Sequence, residues 1–304
     1  MCDTLEVIKE KTVTVDIIGG LGNQLFGYSA GFFLASLLKS PLICVLTQEY
    51  NSIHRDSSSL ESLKLPGTFL RAKNSPHTFS NLNLVINKTK RIIRKFSRLK
   101  DAKHYYSNCI GYDRNLEKLE SATHIHGYFQ SCVYAEGARK VIQKSISENI
   151  KLSQFADALI LSMKATPTLV VHIRLGDYRK PENDFIGILS PEYYKRAIKS
   201  LTVKPLQVYV FSDEIAEAKK NYRDSFPSDT NWIDKGGLLN PLETLAVMSE
   251  GAFFIIANST FSWWAAFLSE SRSNVIAPAK WFKGQNDPEN LYPKDWLRLE
   301  SLWE

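Results

Sequence analysis

Three polar clusters in this chain each follow an apolar run. His172-Ile173-Arg174-Leu175-Gly176-Asp177-Tyr178 follows Thr168-Leu169-Val170-Val171. Asn258-Ser259-Thr260-Phe261 follows Phe253-Phe254-Ile255-Ile256-Ala257. Gly19-Gly20-Leu21-Gly22-Asn23-Gln24 follows Val13-Thr14-Val15-Asp16-Ile17-Ile18. An arginine stays charged at any working pH, and its planar fork matches phosphate oxygens. His172 stands two residues before Arg174, on the same side of an extended strand, where it can bond a ligand or orient the arginine. Asp177 can pair with Arg174 or take a proton. Small hydroxyl and amide residues where a strand hands over to a helix either cap the helix or help its N–H groups hold an anion. The chemistry these residue types suit is therefore the binding of a phosphorylated ligand.

The glycine loop is neither a dinucleotide fingerprint nor a P-loop. Leu25 stands where a third glycine would be needed, and no Lys-Ser or Lys-Thr follows. Gly20 and Gly22 allow close backbone approach to a ligand, and Asn23 offers a donor and an acceptor; the alternative is a tight strand–helix turn. Asp213, in Phe211-Ser212-Asp213-Glu214, can accept from a base edge or a ribose hydroxyl, or else cap the next helix. His124 and His126 share one strand face and have zinc-ligand spacing. No third ligand is evident, so the pair reads as structural or as facing an acceptor. Trp263 and Trp264 read as core.

These residues need strands and helices to hold them. A strand at 12–18, a helix at about 23–38 and a strand at Leu42–Leu46 form a βαβ unit. Residues 50 to 120 are less regular. A strand near His124 and helices at about 131–147 and 152–164 follow. Pro disfavours helix just before it, so the Ala165-Thr166-Pro167 step marks a domain boundary, giving 1–165 and 166–304. Beyond it the periodicity gives a strand at 168–173 and a helix from Pro191 capped by Ser190. A strand at 207–211 and a helix from Glu214 follow, then a strand at 231–233 and a helix from Pro241 capped by Asn240. A strand at 253–257, a helix at 261–268 and a last strand at 274–277 complete the pattern. Such alternation is an α/β fold with parallel sheets covered on both faces.

At 304 residues there is room for two ordinary domains, and 44% apolar residues is the composition of a globular protein. The net charge of +6 favours an anionic partner without choosing one. No fold or motif for nucleic-acid binding is present. Cys2, Cys44, Cys109 and Cys132 lack metal or redox spacing and read as thiols in a reducing compartment. Met1–Glu6 carries acids and reads as no signal peptide. The uncharged stretches 17–38 and 251–269 contain too many polar residues for membrane spans and read as buried strand–loop–helix units. Residues 88–103 carry eight basic residues against the single acid Asp101, with Ile92, Ile93, Phe96 and Leu99 as an apolar stripe. That stretch reads as a solvated helix packed by its stripe, or as a peripheral contact with an anionic membrane.

The ordered set GGLGNQ, GYFQS, HIRLGDY, FSDE and NSTFSWWAA, spanning residues 13 to 283, resembles the family 11 glycosyltransferases, the α-1,2-fucosyltransferases. Two departures are Leu175, where the family often has a second Arg, and Ser249-Glu250-Gly251-Ala252, where it often carries a Cys and a His. The resemblance implies a GT-B architecture of two facing Rossmann-like domains with the active site in the cleft: an acceptor-side N-terminal half and a GDP-sugar-binding C-terminal half. It implies inverting transfer of L-fucose from GDP-β-L-fucose to the 2-OH of a galactose. It also implies a bacterial-type protein without anchor or stem, hence a cytoplasmic enzyme, or one peripheral on the inner membrane.

In that setting Gly20, Gly22, Asn23, His172, Arg174, Asp213, Asn258, Ser259, Thr260 and Phe261 are expected at the donor, with Arg174, Asp177, Asn23 and His172 in catalysis and Asp177 as base. No metal or other cofactor is expected, since the chain has no Asp-x-Asp and Arg174 can stabilise the departing diphosphate. The alternatives are another GDP-sugar or linkage, or a non-catalytic nucleotide- or glycan-binding protein on the same scaffold.

Overall fold

A computed structural model describes residues 12–47, 58–72, 104–121, 123–203, 205, 207–233 and 238–304. The chain forms two compact units. One comprises Met1–Val141 with Pro288–Leu291, the other Ile142–Asp287 with Tyr292–Glu304.

The first unit is built on a parallel five-stranded sheet of order β3-β2-β1-β5-β4. Its strands are β1 (Val13–Ile17), β2 (Leu42–Thr47), β3 (Thr68–Ala72), β4 (His104–Tyr106) and β5 (His124–His126). Helix α1 (Leu21–Leu38) crosses from β1 to β2, and α2 is the short Ser58–Ser62. Parallel neighbours need such a crossover, which is why the βαβ unit was legible. Val15 faces α1, where Gly31 comes close to its side chain. Strand alternation therefore turns Thr14 and Asp16 to the opposite face of the sheet.

The second unit holds β6 (Thr168–Ile173), β7 (Gln207–Ser212), β8 (Asn231–Ile233), β9 (Phe253–Ile255), β10 (Val275–Pro278) and β11 (Leu297–Leu299). Their order is β11-β10-β9-β6-β7-β8, and every pairing is parallel. Helices are α3 (Cys132–Asn149), which begins in the first unit, α4 (Gln154–Ala165), α5 (Pro191–Lys199), α6 (Ile215–Tyr222), α7 (Pro241–Ser249) and α8 (Thr260–Leu268). After β6 the chain builds outward through β7 and β8, then returns to lay β9 on the other side of β6. The strand order thus reverses between β6 and β9, the place where open α/β sheets leave a crevice at their carboxyl ends. All six residues of β6 are buried, as expected of a central strand. Trp263, Trp264 and Phe267 of α8 are fully buried, with Trp263 stacked on Phe267 at 4.6 Å between ring centres. The two tryptophans are core.

The boundary falls earlier than the Ala165–Pro167 step. Residues 142–165 are tied into the second unit by Gln143 donating to the Leu268 carbonyl (2.6 Å), by the Ser153 N–H donating to Glu243 (2.6 Å) and by Ser162 bonding the Tyr209 hydroxyl (3.0 Å). Pro167 ends a helix without dividing a domain. The segment 288–291 returns to the first unit, where the Glu289 carbonyl accepts from Tyr112 N–H and the Asn290 carbonyl from Cys132 N–H, both at 2.9 Å. β10 is followed by β11, so the strand at 275–278 is not the last. Cys44, Cys109 and Cys132 are thiols. Among the described residues no helix is long and apolar enough to cross a membrane. The basic stretch 88–103 lies outside the described residues.

Candidate functional site

At the end of β6 the chain leaves the sheet at Ile173, and the next residues turn through a short 3-10 helix at Gly176–Arg179. Arg174 is lodged between two carboxylates. Its Nη2 lies 2.5 Å from Asp177 Oδ1 and its Nη1 3.2 Å from Asp213 Oδ2. Burial disfavours its charge, but Asp213, Tyr178 and Asp177 overcome that and hold the guanidinium more firmly charged than usual. Its Cζ also lies 5.3 Å from the Tyr178 ring centre, within cation–π range. Asp213, at the end of β7, caps nothing. It accepts from the Leu175 N–H at 3.0 Å with one oxygen and meets Arg174 with the other, while the Ser212 hydroxyl takes the following N–H, that of Glu214. Gly176 is needed for this crossing, because a Cβ there would sit 2.4 Å from Asp213 Oδ2. Leu175 is fully buried in the core. Its side chain packs inward and delivers no cation.

The end of β9 meets the same loop. Tyr178 donates its hydroxyl to the Asn258 carbonyl at 2.9 Å. The Asn258 side chain is buried and its NH2 donates to the carbonyls of Ile186 (3.0 Å), Gly187 (3.2 Å) and Trp281 (3.2 Å). That spends its amide donors inside the protein. Ser259 is the N-cap of α8, but its side chain makes no capping bond. The first turn of α8 contains no acid either, so an anion there meets no carboxylate of the helix itself. Thr260 and Phe261 form that first turn and are half-buried.

His172 is buried, 6.3 Å from the Phe261 ring centre. Beside it opens a depression of about 290 Å³, partly in open solvent, lined by His172, Phe211, Ser212, Ile233, Thr244 and Phe261 among others. His172, Arg174, Asp177, Asp213 and the Asn258–Phe261 loop are therefore brought to one edge of one sheet. Tyr178 joins them; it lies inside the motif, yet its dual contact to Arg174 and Asn258 has no signature in a single sequence.

In the first unit, Gly19 turns at φ +72°, a conformation that favours glycine, and Gly20 is the N-cap of α1. Gly22 and Asn23 thus lie in the first turn of α1. Asn23 Oδ1 accepts from Gln130 Nε2 at 3.0 Å, and Gln24 Nε2 donates to the Gly19 carbonyl at 2.9 Å. Gln24 Oε1 and Gln130 Oε1 are buried without a hydrogen-bond partner. Phe129, next to Gln130, is held at φ +52°, an uncommon conformation for a bulky residue. Two underused amide oxygens beside a strained loop suit hydroxyl donors. The glycine loop and the Gly127–Ser131 segment, separate in sequence, form one polar patch.

The His124–His126 pair gains neighbours that sequence reading did not pair with it. Asp16 of β1 bonds both rings and His104 of β4 meets His126. The signal for Asp16 was a lone acid inside an apolar strand; for His104 there was none.

The chain is thus an α/β protein of two parallel-sheet units, with a buried arginine and an uncapped helix start where one sheet reverses its order. Glycosyl transferase family 11 matches residues 3–300, and the chain belongs to that family. It is a glycosyltransferase. It is 28% identical over 306 residues to an alpha-1,2-colitosyltransferase of Escherichia coli, covering 95% of this chain and 99% of that protein. It is also 28% identical over 308 residues to the O-antigen biosynthesis glycosyltransferase WbnK of Escherichia coli, covering 92% and 98%. Among solved structures it is similar to the alpha-1,6-fucosyltransferase NodZ soaked with GDP-fucose, with 15% identity, 86% and 93% coverage and a TM-score of 0.46.

Proposed function

We propose that the chain is an inverting galactoside α-1,2-fucosyltransferase that uses GDP-β-L-fucose and no metal. The observation that carries this reading is Arg174, held between Asp177 and Asp213 and linked through Tyr178 to the start of α8. A guanidinium has five N–H groups. The two carboxylates meet one terminal nitrogen each and fix the plane of the fork, whose positive charge would face a diphosphate. As the bond from fucose C1 to the phosphate oxygen breaks, negative charge grows on GDP. Arg174 and the N–H groups at Ser259–Phe261 stabilise it, with His172 and Phe261 walling the adjoining depression. The acceptor 2-OH attacks C1 from the opposite face and gives up its proton. Asp177 can accept that proton only by loosening its contact with Arg174, so its geometry supports positioning better than base catalysis. Asn23, Gly20 and Gly22, with Gln130, would meet sugar hydroxyls.

A glycan of the O-antigen kind fits the WbnK relative's name as acceptor. The colitosyltransferase relative favours a second reading, transfer of colitose from its GDP-sugar. Incubation with GDP-fucose and a lactose-type acceptor, with and without EDTA, and with GDP release and product linkage as readouts, tests the proposal. Expected is an α-1,2-fucoside with turnover unchanged by EDTA. No transfer from GDP-fucose but transfer from GDP-colitose would select the second reading. GDP binding without transfer from either would leave a nucleotide-binding protein. Activity lost to EDTA and restored by manganese would end the metal-free mechanism.

A further inference from the structure

β1, β5 and β4 are neighbours in the first unit, and their register sets His104 beside His124 and Tyr106 beside His126. Asp16 stands between two imidazoles. Its Oδ1 is 2.7 Å from His124 Nε2 and its Oδ2 is 2.6 Å from His126 Nδ1. The other nitrogen of His126, Nε2, is 3.1 Å from His104 Nδ1. One ring nitrogen from each of the three histidines lies within 4.8 Å of the other two.

Asp16 is buried, and each of its two carboxyl oxygens meets one imidazole nitrogen. An ionised carboxylate only accepts, so each imidazole turns an N–H toward it. In a neutral ring the opposite nitrogen then carries the lone pair: Nε2 of His126 and Nδ1 of His124. A carboxylate behind a histidine, fixing its tautomer and raising the basicity of the far nitrogen, is how metal-ligating histidines are supported. The 3.1 Å between His126 Nε2 and His104 Nδ1 is close to the edge of a tetrahedron whose metal–nitrogen bonds are about 2.0–2.1 Å.

We propose that His104, His124 and His126 form a binding site for a divalent transition ion of the zinc class, with Asp16 as the supporting carboxylate. Neutral imidazoles suit zinc, cobalt and nickel, and a group of three nitrogens with no oxygen ligand disfavours magnesium and calcium. Three protein ligands leave a fourth position for water or a ligand oxygen. The His124 and His126 rings are stacked at 4.1 Å, 29° apart, so ligation turns them about their Cβ–Cγ bonds until the lone pairs converge. The ion would clip β4 to β5, strands of three residues that share little ladder. The site is independent of the diphosphate chemistry, which draws on residues of the second unit.

The test uses the full chain, stripped with EDTA, desalted and given zinc alone or cobalt alone. Expected is one equivalent of zinc retained through gel filtration, a raised Tm, and with cobalt the intense visible bands of a four-coordinate site without the near-ultraviolet charge-transfer band of thiolate ligation. His104→Gln and His124→Gln should lose the ion. Asp16→Asn should bind roughly 10- to 100-fold more weakly. His172→Ala should retain the full equivalent. A parent that retains no zinc, a pale six-coordinate or thiolate-type cobalt spectrum, or unchanged metal content in both His→Gln variants would each overturn the proposal. The cobalt spectrum of the parent decides the matter even if a variant fails to fold.

Discussion

The two units place opposite charge patterns at their strand ends. In the first, one acid, Asp16, lies between two histidines. In the second, one base, Arg174, lies between two acids. The geometry is alike and the chemistry is not. A guanidinium cannot lose its proton in a protein, so the Arg174 group is permanently zwitterionic. An imidazole can be neutral, charged or metal-bound, so the Asp16 group can change its net charge. The permanent group suits the diphosphate site proposed for it. The adjustable group suits an ion or a proton that comes and goes.

Removing the centre of the permanent group should have the largest effect. Arg174→Ala should cut turnover of the folded enzyme by roughly 10²- to 10³-fold, the cost of deleting one electrostatic donor to a departing anion. Arg174→Lys should recover only part of it, because a point charge cannot reproduce the fork. Turnover and melting measured on the same preparations check this. A mutant that melts early but turns over normally would make the arginine structural and collapse the contrast.

Asp213→Asn should cost less, about 1.5–3 kcal/mol of donor binding, the worth of a hydrogen bond to a charged group. It should appear in KM for the nucleotide sugar more than in kcat. Gly176→Ala probes the same contact from the backbone. Its Cβ would sit 2.4 Å from Asp213 Oδ2, so the carboxylate must move, and a penalty of about 1–3 kcal/mol in stability is expected, read as a lower midpoint in urea. Equal stability of Gly176→Ala and parent would mean that Asp213 is not tightly held.

The smallest expected effect lies away from both groups. Asn240 and Glu243 form a capping box at the start of α7. Asn240→Ala should lower stability by about 1 kcal/mol, roughly 2–4 °C in Tm, with turnover unchanged. Burial works against the charge of Glu243, yet backbone N–H groups of Asn240 and Ser153 hold its carboxyl below the ordinary value. Its contribution is therefore complete above the unfolded value near pH ~4.3 and fades as pH falls through the lower folded value. Asn240→Ala keeps the backbone N–H from which Glu243 accepts, so a pH–melting profile of Glu243→Gln is the sharper measurement. It should converge with the parent profile in acid and fall below it above that range.

The central strands were legible because burial on both faces leaves an unbroken apolar run, as in β6 and at Phe253–Ile255. Helix starts at Pro191 and Pro241 were legible from local chemistry, although only Asn240 makes a side-chain cap; Ser190 makes none. β3, β4 and β11 were not. Thr68–Ala72, His104–Tyr106 and Leu297–Leu299 are edge strands with a single strand neighbour each; the first two lack a clean alternation of apolar and polar residues, and the third alternates over only three residues. The donor-side motif residues were readable by type, but their tasks were not. Asn258 turns its amide inward and Asp213 grips the Arg174 loop, because which way a polar side chain points is set by partners distant in sequence. His104 becomes a neighbour of His124 only through parallel register, which no local pattern announces.

The detour of residues 288–291 has a consequence for synthesis. A ribosome delivers β1 to β5 long before it delivers Glu289 and Asn290, whose carbonyls receive the Tyr112 and Cys132 N–H groups. The N-terminal half must therefore wait, with those groups bonded to water, until nearly the whole polypeptide has emerged. A gene fragment ending at codon 141 encodes the five strands but omits the carbonyls that Tyr112 and Cys132 bond. Supplying the remainder as a second polypeptide is the way to complete it.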